Sequence, residues 1–148
     1  MPPRLEIRNE SRIKRTHRRD VLRRLAERVC EGEGRHGDLE ISVLLCDDAR
    51  IAELNRQYRK KRGPTDVLSF GQDGEQPDGS RVLGDVVISL ETVARRCKGN
   101  PRAMREDVRL LFCHGLLHLL GYDHATRAED QVMRARQARY LGRMPQAK

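Results

Sequence analysis

No stretch of this sequence approaches 18 consecutive apolar residues, which excludes a membrane-spanning helix. The opening, Met1-Pro2-Pro3-Arg4, has no apolar core behind its basic residue, so no secretory leader is expected. There is no Gly-X-Y period, no internal repeat and no long linker, so collagen-like and solenoid architectures drop out. Cysteine is sparse and dispersed: Cys30, Cys46, Cys97 and Cys113 form no CxxC pair. That spacing excludes a disulfide-dense secreted scaffold and is unlike a zinc ribbon or a redox motif. Cys46 and Cys113 lie inside apolar runs, where the thiol acts as a small hydrophobe. Free thiols fit a reducing compartment, and a cytoplasmic location is expected.

What is present is one domain's worth of chain, residues 1–148, enough to bury roughly two thirds of its unfolded surface. Charged residues make up 35% and apolar residues 37%. Thirty Lys and Arg against 22 Asp and Glu give a net charge of +8, which fits a polyanionic partner such as nucleic acid and equally a soluble protein with a cationic surface. Runs such as Ile41-Ser42-Val43-Leu44-Leu45 and Val86-Val87-Ile88 require burial and argue against disorder.

Leu5 and Ile7 alternate with charged residues and predict a short first strand. Residues 16–30 carry Val21, Leu22, Leu25, Ala26 and Val29 at helical spacing, until Glu31-Gly32-Glu33-Gly34 stops the pattern. Residues 39–46 read as an apolar strand. Asp47 or Asp48 can cap the next helix, which contains Ile51, Leu54 and Tyr58 and ends in the cationic run Arg59-Lys60-Lys61-Arg62. Residues 66–70 and 83–89 are strands joined without a helix, hence antiparallel, with a polar loop over 71–80. Helices follow over 91–98, 102–120 and 127–141. The order predicts an α/β (α+β) fold, a small mixed four-stranded sheet packed against about five helices with the 102–120 helix central.

Three of the five histidines fall within His114-Gly115-Leu116-Leu117-His118-Leu119-Leu120-Gly121-Tyr122-Asp123-His124. Residues four apart share a helix face, so His114 and His118 can present two imidazoles to one ion. Gly121 can end the helix with a positive φ and return His124 to the same ion. Three histidines suit zinc and leave a fourth position for water, although nickel or copper would also accept them. The metalloprotease pattern HExxH has its general base where this chain has Gly115, so a peptidase would lack its base. Asp123 is the nearest carboxylate in sequence, suited to orienting a histidine, to a proton transfer, or merely to forming the turn. Arg59 is the leading cation for a phosphodiester's developing charge, although composition alone favours a solvated charge among Lys60, Lys61 and Arg62. His17 and His36 lie outside the pattern and read as surface, and Cys113 points about 100° away from His114 around the helix.

These residues resemble the YbeY family of bacterial endoribonucleases. The histidine motif carries the likeness, together with Asn55-Arg56-Gln57-Tyr58-Arg59, Pro64-Thr65-Asp66-Val67-Leu68-Ser69-Phe70 and Leu83-Gly84-Asp85-Val86-Val87-Ile88-Ser89. The resemblance implies one zinc ion on His114, His118 and His124 plus water, with Arg59 as a functional arginine. It implies cleavage of single-stranded RNA, maturation of the 16S rRNA 3′ end, ribosome quality control, and the small ribosomal subunit with its proteins as partners. One departure stands out: where family members often carry an acidic Met-Glu run, the last helix here is basic, with Arg134, Arg136, Arg139 and Arg143. The rival reading is a non-catalytic ribosome-assembly or RNA-binding factor whose metal stabilises the fold.

Overall fold

The computed structural model describes residues 2–14, 18–75, 77 and 79–142, with backbone alone over 73–75. Among these residues there are four strands and five helices. They run β1 (Arg4–Asn9), α1 (Arg19–Gly32), β2 (Leu39–Cys46), α2 (Asp48–Arg59), β3 (Val67–Glu75), β4 (Arg81–Ser89), α3 (Leu90–Arg96), α4 (Pro101–Leu119) and α5 (Arg127–Leu141). The strand order is β1-β2-β4-β3. β1, β2 and β4 are parallel, and β3 runs antiparallel to β4 at the edge, as their direct connection implied. No helix among the described residues is long and apolar enough to cross a membrane.

The period of two along each strand sorts side chains onto two faces. Ile41, Val43, Leu45, Val86 and Ile88 face a core shared with Leu22, Leu25 and Val29 of α1 and Val108, Phe112 and Leu116 of α4. On the opposite face α2 seats Ile51 against Cys46, Leu68 and Val87. α4 starts sharply: the Asn100 side chain accepts the Ala103 N–H at 3.0 Å, and Pro101 occupies the first turn. Three cysteines are buried and Cys97 half-buried, all four as free thiols.

Two expectations are corrected. The polar loop over 71–80 is shorter: β3 continues to Glu75 and β4 begins at Arg81, with Gly74 opposite Val82 and a register shift after Gly71. Edge pairing uses backbone groups, so a segment without apolar alternation still forms a ladder. Asp47 occupies the N-cap position of α2 but makes no side-chain cap. Its carboxylate instead accepts from the Ser11 hydroxyl and the Arg12 N–H, tying the end of β1 to β2. Asp48 is drawn away too, accepting from Ser89, Thr92 and Arg95 at 2.6–2.7 Å. The expected helix start at Thr16, together with His17 and Arg143, lies outside the described residues.

Candidate metal centre

α4 places His114 and His118 one turn apart, both half-buried. The helix then closes: the Gly121 N–H donates to the His118 carbonyl and the Tyr122 N–H to the Leu117 carbonyl, each at 3.0 Å. Gly121 sits at φ +106°, which a residue with a Cβ adopts only under strain. Asp123 accepts the backbone N–H of His124 at 2.7 Å and tightens the return. The three rings form a near-equilateral triangle, with centroids 4.7, 5.0 and 5.3 Å apart. One ligand nitrogen from each lies within 4.8 Å of the others, and no Cys, Asp or Glu among the described residues joins the set. Burial, followed by the neighbouring imidazoles, holds His118 below its ordinary value. His114 is lowered mainly by burial, against the hydrogen bond it donates to Gln137. Both rings therefore keep lone pairs available near neutral pH.

Two supporting residues escaped the sequence reading. Gln137 of α5, itself buried, places Oε1 2.8 Å from Nδ1 of His114. An amide oxygen only accepts, so Nδ1 carries the hydrogen and Nε2 keeps the lone pair a metal needs. Nothing in the local spacing could reveal this partner, which is 23 residues away and brought in by helix packing. Replacing Gln137 with leucine is expected to weaken metal affinity by about 10–100-fold, measured by competition with a chromophoric chelator.

The second is Glu33, in the turn after α1. It accepts from the Tyr122 hydroxyl at 2.6 Å and from the Tyr140 hydroxyl, and lies 3.7 Å from Arg136. One carboxylate thus ties the turn that presents His124 to the helix that presents Gln137. Burial alone would raise the Glu33 carboxyl. The two tyrosine hydrogen bonds and the charges of Arg136 and Arg139 outweigh that and hold it below its ordinary 4.5. A lowered native pKa contributes stability that is present above the unfolded value and lost as pH falls through the folded one. Glu33→Gln is therefore expected to flatten the drop in melting temperature on acidification below about pH 5.

The remaining sequence candidates divide. Cys113 is fully buried, burial pushes its thiol up to about 12, and it stays apart from the imidazole group. His36 is exposed, as expected. Arg59 ends α2, is exposed, and has no ion-pair or hydrogen-bond partner among the described residues. Asn55 shapes the segment after it, donating to the Gly63 carbonyl and accepting the Lys61 N–H on its own carbonyl. That segment leads to Asp66, whose charge acts on His114. Gly115 lies against the sheet: a Cβ there would come within 2.7 Å of Val86 Cγ1 and 3.0 Å of Ser69 Oγ. The general base of an HExxH peptidase has no room at this position. Two of the basic residues of α5 are engaged internally, Arg134 with Asp130 at 2.9 Å and Arg136 with Glu33.

A family profile described as endoribonuclease YbeY matches residues 4–145, nearly the whole chain. The chain belongs to the YbeY family. An endoribonuclease YbeY from Pelotomaculum thermopropionicum is 43% identical over 128 residues, covering 84% of both chains. One from Aquifex aeolicus is 44% identical, covering 80% of this chain and 77% of its own. One from Moorella thermoacetica is 41% identical, covering 82% and 83%. A solution structure of a Thermotoga maritima protein superposes with a TM-score of 0.54 at 28% identity, covering 93% of this chain and 86% of that one. The α+β fold and the YbeY assignment therefore agree. The histidine motif that suggested the family from sequence is also where the structure gathers its candidate ligands.

Proposed function

We propose that this YbeY-family chain is a zinc-dependent endoribonuclease specific for single-stranded RNA. It acts in the cytoplasm on the 3′ end of 16S rRNA and in ribosome quality control, in contact with the small ribosomal subunit and its proteins. The observation that carries the reading is the triangle of imidazoles without a fourth protein ligand among the described residues, on a chain of net charge +8. His114, His118 and His124 hold the ion. When bound, the ion supplies Lewis acidity and an activated water near neutral pH. Gln137 fixes the tautomer of His114, and the Gly121 turn fixes the approach of His124. Arg59, exposed and without a partner among the described residues, holds and neutralises the scissile phosphate. Asp123 keeps the His124 turn closed, and its exposed carboxylate serves proton transfer.

One observation favours the non-catalytic assembly factor: Gly115 leaves no carboxylate beside the histidines on the helix, so no residue there clearly serves as general base. The experiment that separates the readings is cleavage of single-stranded RNA by purified protein with and without chelator, beside His114→Ala and Arg59→Ala. Loss of cleavage in all three perturbed samples is expected. Equal nuclease signals in every sample would mean contamination and defeat the proposal. Chelation that unfolds a chain showing no cleavage would favour the assembly factor. The logarithm of RNA affinity is also expected to fall linearly with the logarithm of salt concentration, with a slope set by the phosphates neutralised.

A further inference from the structure

The sheet face opposite α4 is only partly covered. Beyond the reach of α2 it leaves a groove of about 500 Å³. Its floor includes one cross-strand row, Glu6, Ser42, Asp85 and Phe70, with Leu44 beside it. Its wall is Tyr58 of α2, 60% exposed in a chain that has three tyrosines, two phenylalanines and no tryptophan. Tyr58 meets Phe70 edge to face at 5.4 Å, leaving much of its ring to solvent. An aromatic ring left in solvent forgoes burial and stacking contacts that a flat ring laid against it would supply.

The charges around the groove are segregated. On the floor, Asp85 accepts from the Gln72 amide at 3.0 Å through Oδ2, and Glu6 has no partner among the described residues. Two lining cations are neutralised within the chain, Arg8 by Glu10 and Arg50 by Glu53. Beside Tyr58, by contrast, Arg56, Arg59, Lys60, Lys61 and Arg62 are all exposed and without side-chain partners among the described residues. Carboxylates repel phosphates but accept hydrogen bonds from the amino and imino groups of nucleobases. The arrangement places flat, N–H-bearing rings inside and a polyanionic backbone on the rim. Segment 59–66 then leads from this rim to the edge strand β3, whose Ser69 lies against Gly115 on the face that carries the histidines.

We propose that the groove is a base-stacking subsite for unpaired nucleotides of an RNA strand whose phosphates rest on residues 56–62. The choice of RNA rests on the nuclease reading, and the groove adds a physical reason for single-strand preference. A base held in a duplex cannot reach Tyr58, whereas an unpaired base can. Stacking of this kind tolerates sequence, because every base has a π-face. The floor carboxylates then favour bases that present N–H groups.

The test compares two labelled ligands of equal charge, a single-stranded RNA 10-mer and an abasic ribose-phosphate 10-mer. Each is titrated by fluorescence anisotropy, and a gel verifies that the RNA stays intact. Tyr58→Ala is expected to weaken RNA binding at least about fivefold and to leave abasic binding unchanged. Tyr58→Phe should restore wild-type affinity. Lys60→Ala with Lys61→Ala should weaken both ligands alike and reduce the salt slope. Unchanged RNA affinity in Tyr58→Ala overturns the proposal and leaves the groove to a protein partner; equal losses on both ligands overturn it as well. Because binding is read apart from cleavage, a wild-type chain that binds through Tyr58 but does not cut would sink the nuclease reading and leave this one standing.

Discussion

Replacing His118 with alanine is expected to lower cleavage of single-stranded RNA by more than about 100-fold and to leave the chain without tightly bound metal. Outer partners of metal ligands typically cost 10–100-fold when removed, and a ligand itself should cost more. The reason lies in the triangle. His114 and His118 come from one rigid helix, and His124 from a turn closed by two backbone hydrogen bonds and the Asp123 carboxylate. Two remaining imidazoles cannot hold a divalent ion against water with comparable strength. Elemental analysis after gel filtration, beside a gel-based cleavage assay, reads both consequences. Because His118 is only half-buried, the variant should keep its far-ultraviolet dichroism. A folded, metal-free His118→Ala chain that cuts RNA at the wild-type rate would remove the histidines from the chemistry.

Restoring a peptidase-like glutamate at position 115 should destabilise the protein rather than convert it. The first atom of any side chain there lands 2.7 and 3.1 Å from the two methyls of Val86 and 3.0 Å from Ser69 Oγ. Val86 is fully buried in a sheet strand and cannot retreat, and the Ser69 hydroxyl already donates to the Gly115 carbonyl at 3.1 Å. Overpacking of this kind costs typically 1–3 kcal/mol for small additions, so Gly115→Ala should lose about 2 kcal/mol and Gly115→Glu about 3 kcal/mol or more. Urea midpoints measure both. Val86→Ala in the Gly115→Ala background should recover part of the loss, because the two residues share one space. A Gly115→Glu variant with an unshifted midpoint and new peptidase activity would contradict the packing and the exclusion together.

The parts of this site that share a helix or a turn were legible in the sequence. The spacing of His114 and His118, the stop at Gly121 and the return of His124 are local consequences of helix geometry, and the chain folds as that spacing implies. The antiparallel pairing of β3 with β4 followed from their short connection. What was illegible depends on tertiary packing. Gln137 reaches His114 only because α5 docks on α4, and Glu33 reaches Tyr122 only because the end of α1 lies beside both. Gly115 read as a missing base, whereas the structure shows a contact so close that no base could be there. Asp47 has the composition of a cap, but the hydroxyl of Ser11, in the turn after β1 and 36 residues earlier, competes for its carboxylate and wins. Local propensity proposes partners, and long-range geometry decides among them.

X-ray absorption at the zinc edge of the metal-loaded wild-type chain bears most directly on the open three-imidazole site. Three imidazole nitrogens and one oxygen donor at about 2.0–2.1 Å are expected, with the first shell changing when a phosphodiester analogue is added. A shell completed by a fourth imidazole or by a sulfur near about 2.3 Å would show a closed, structural ion and contradict catalysis at this centre.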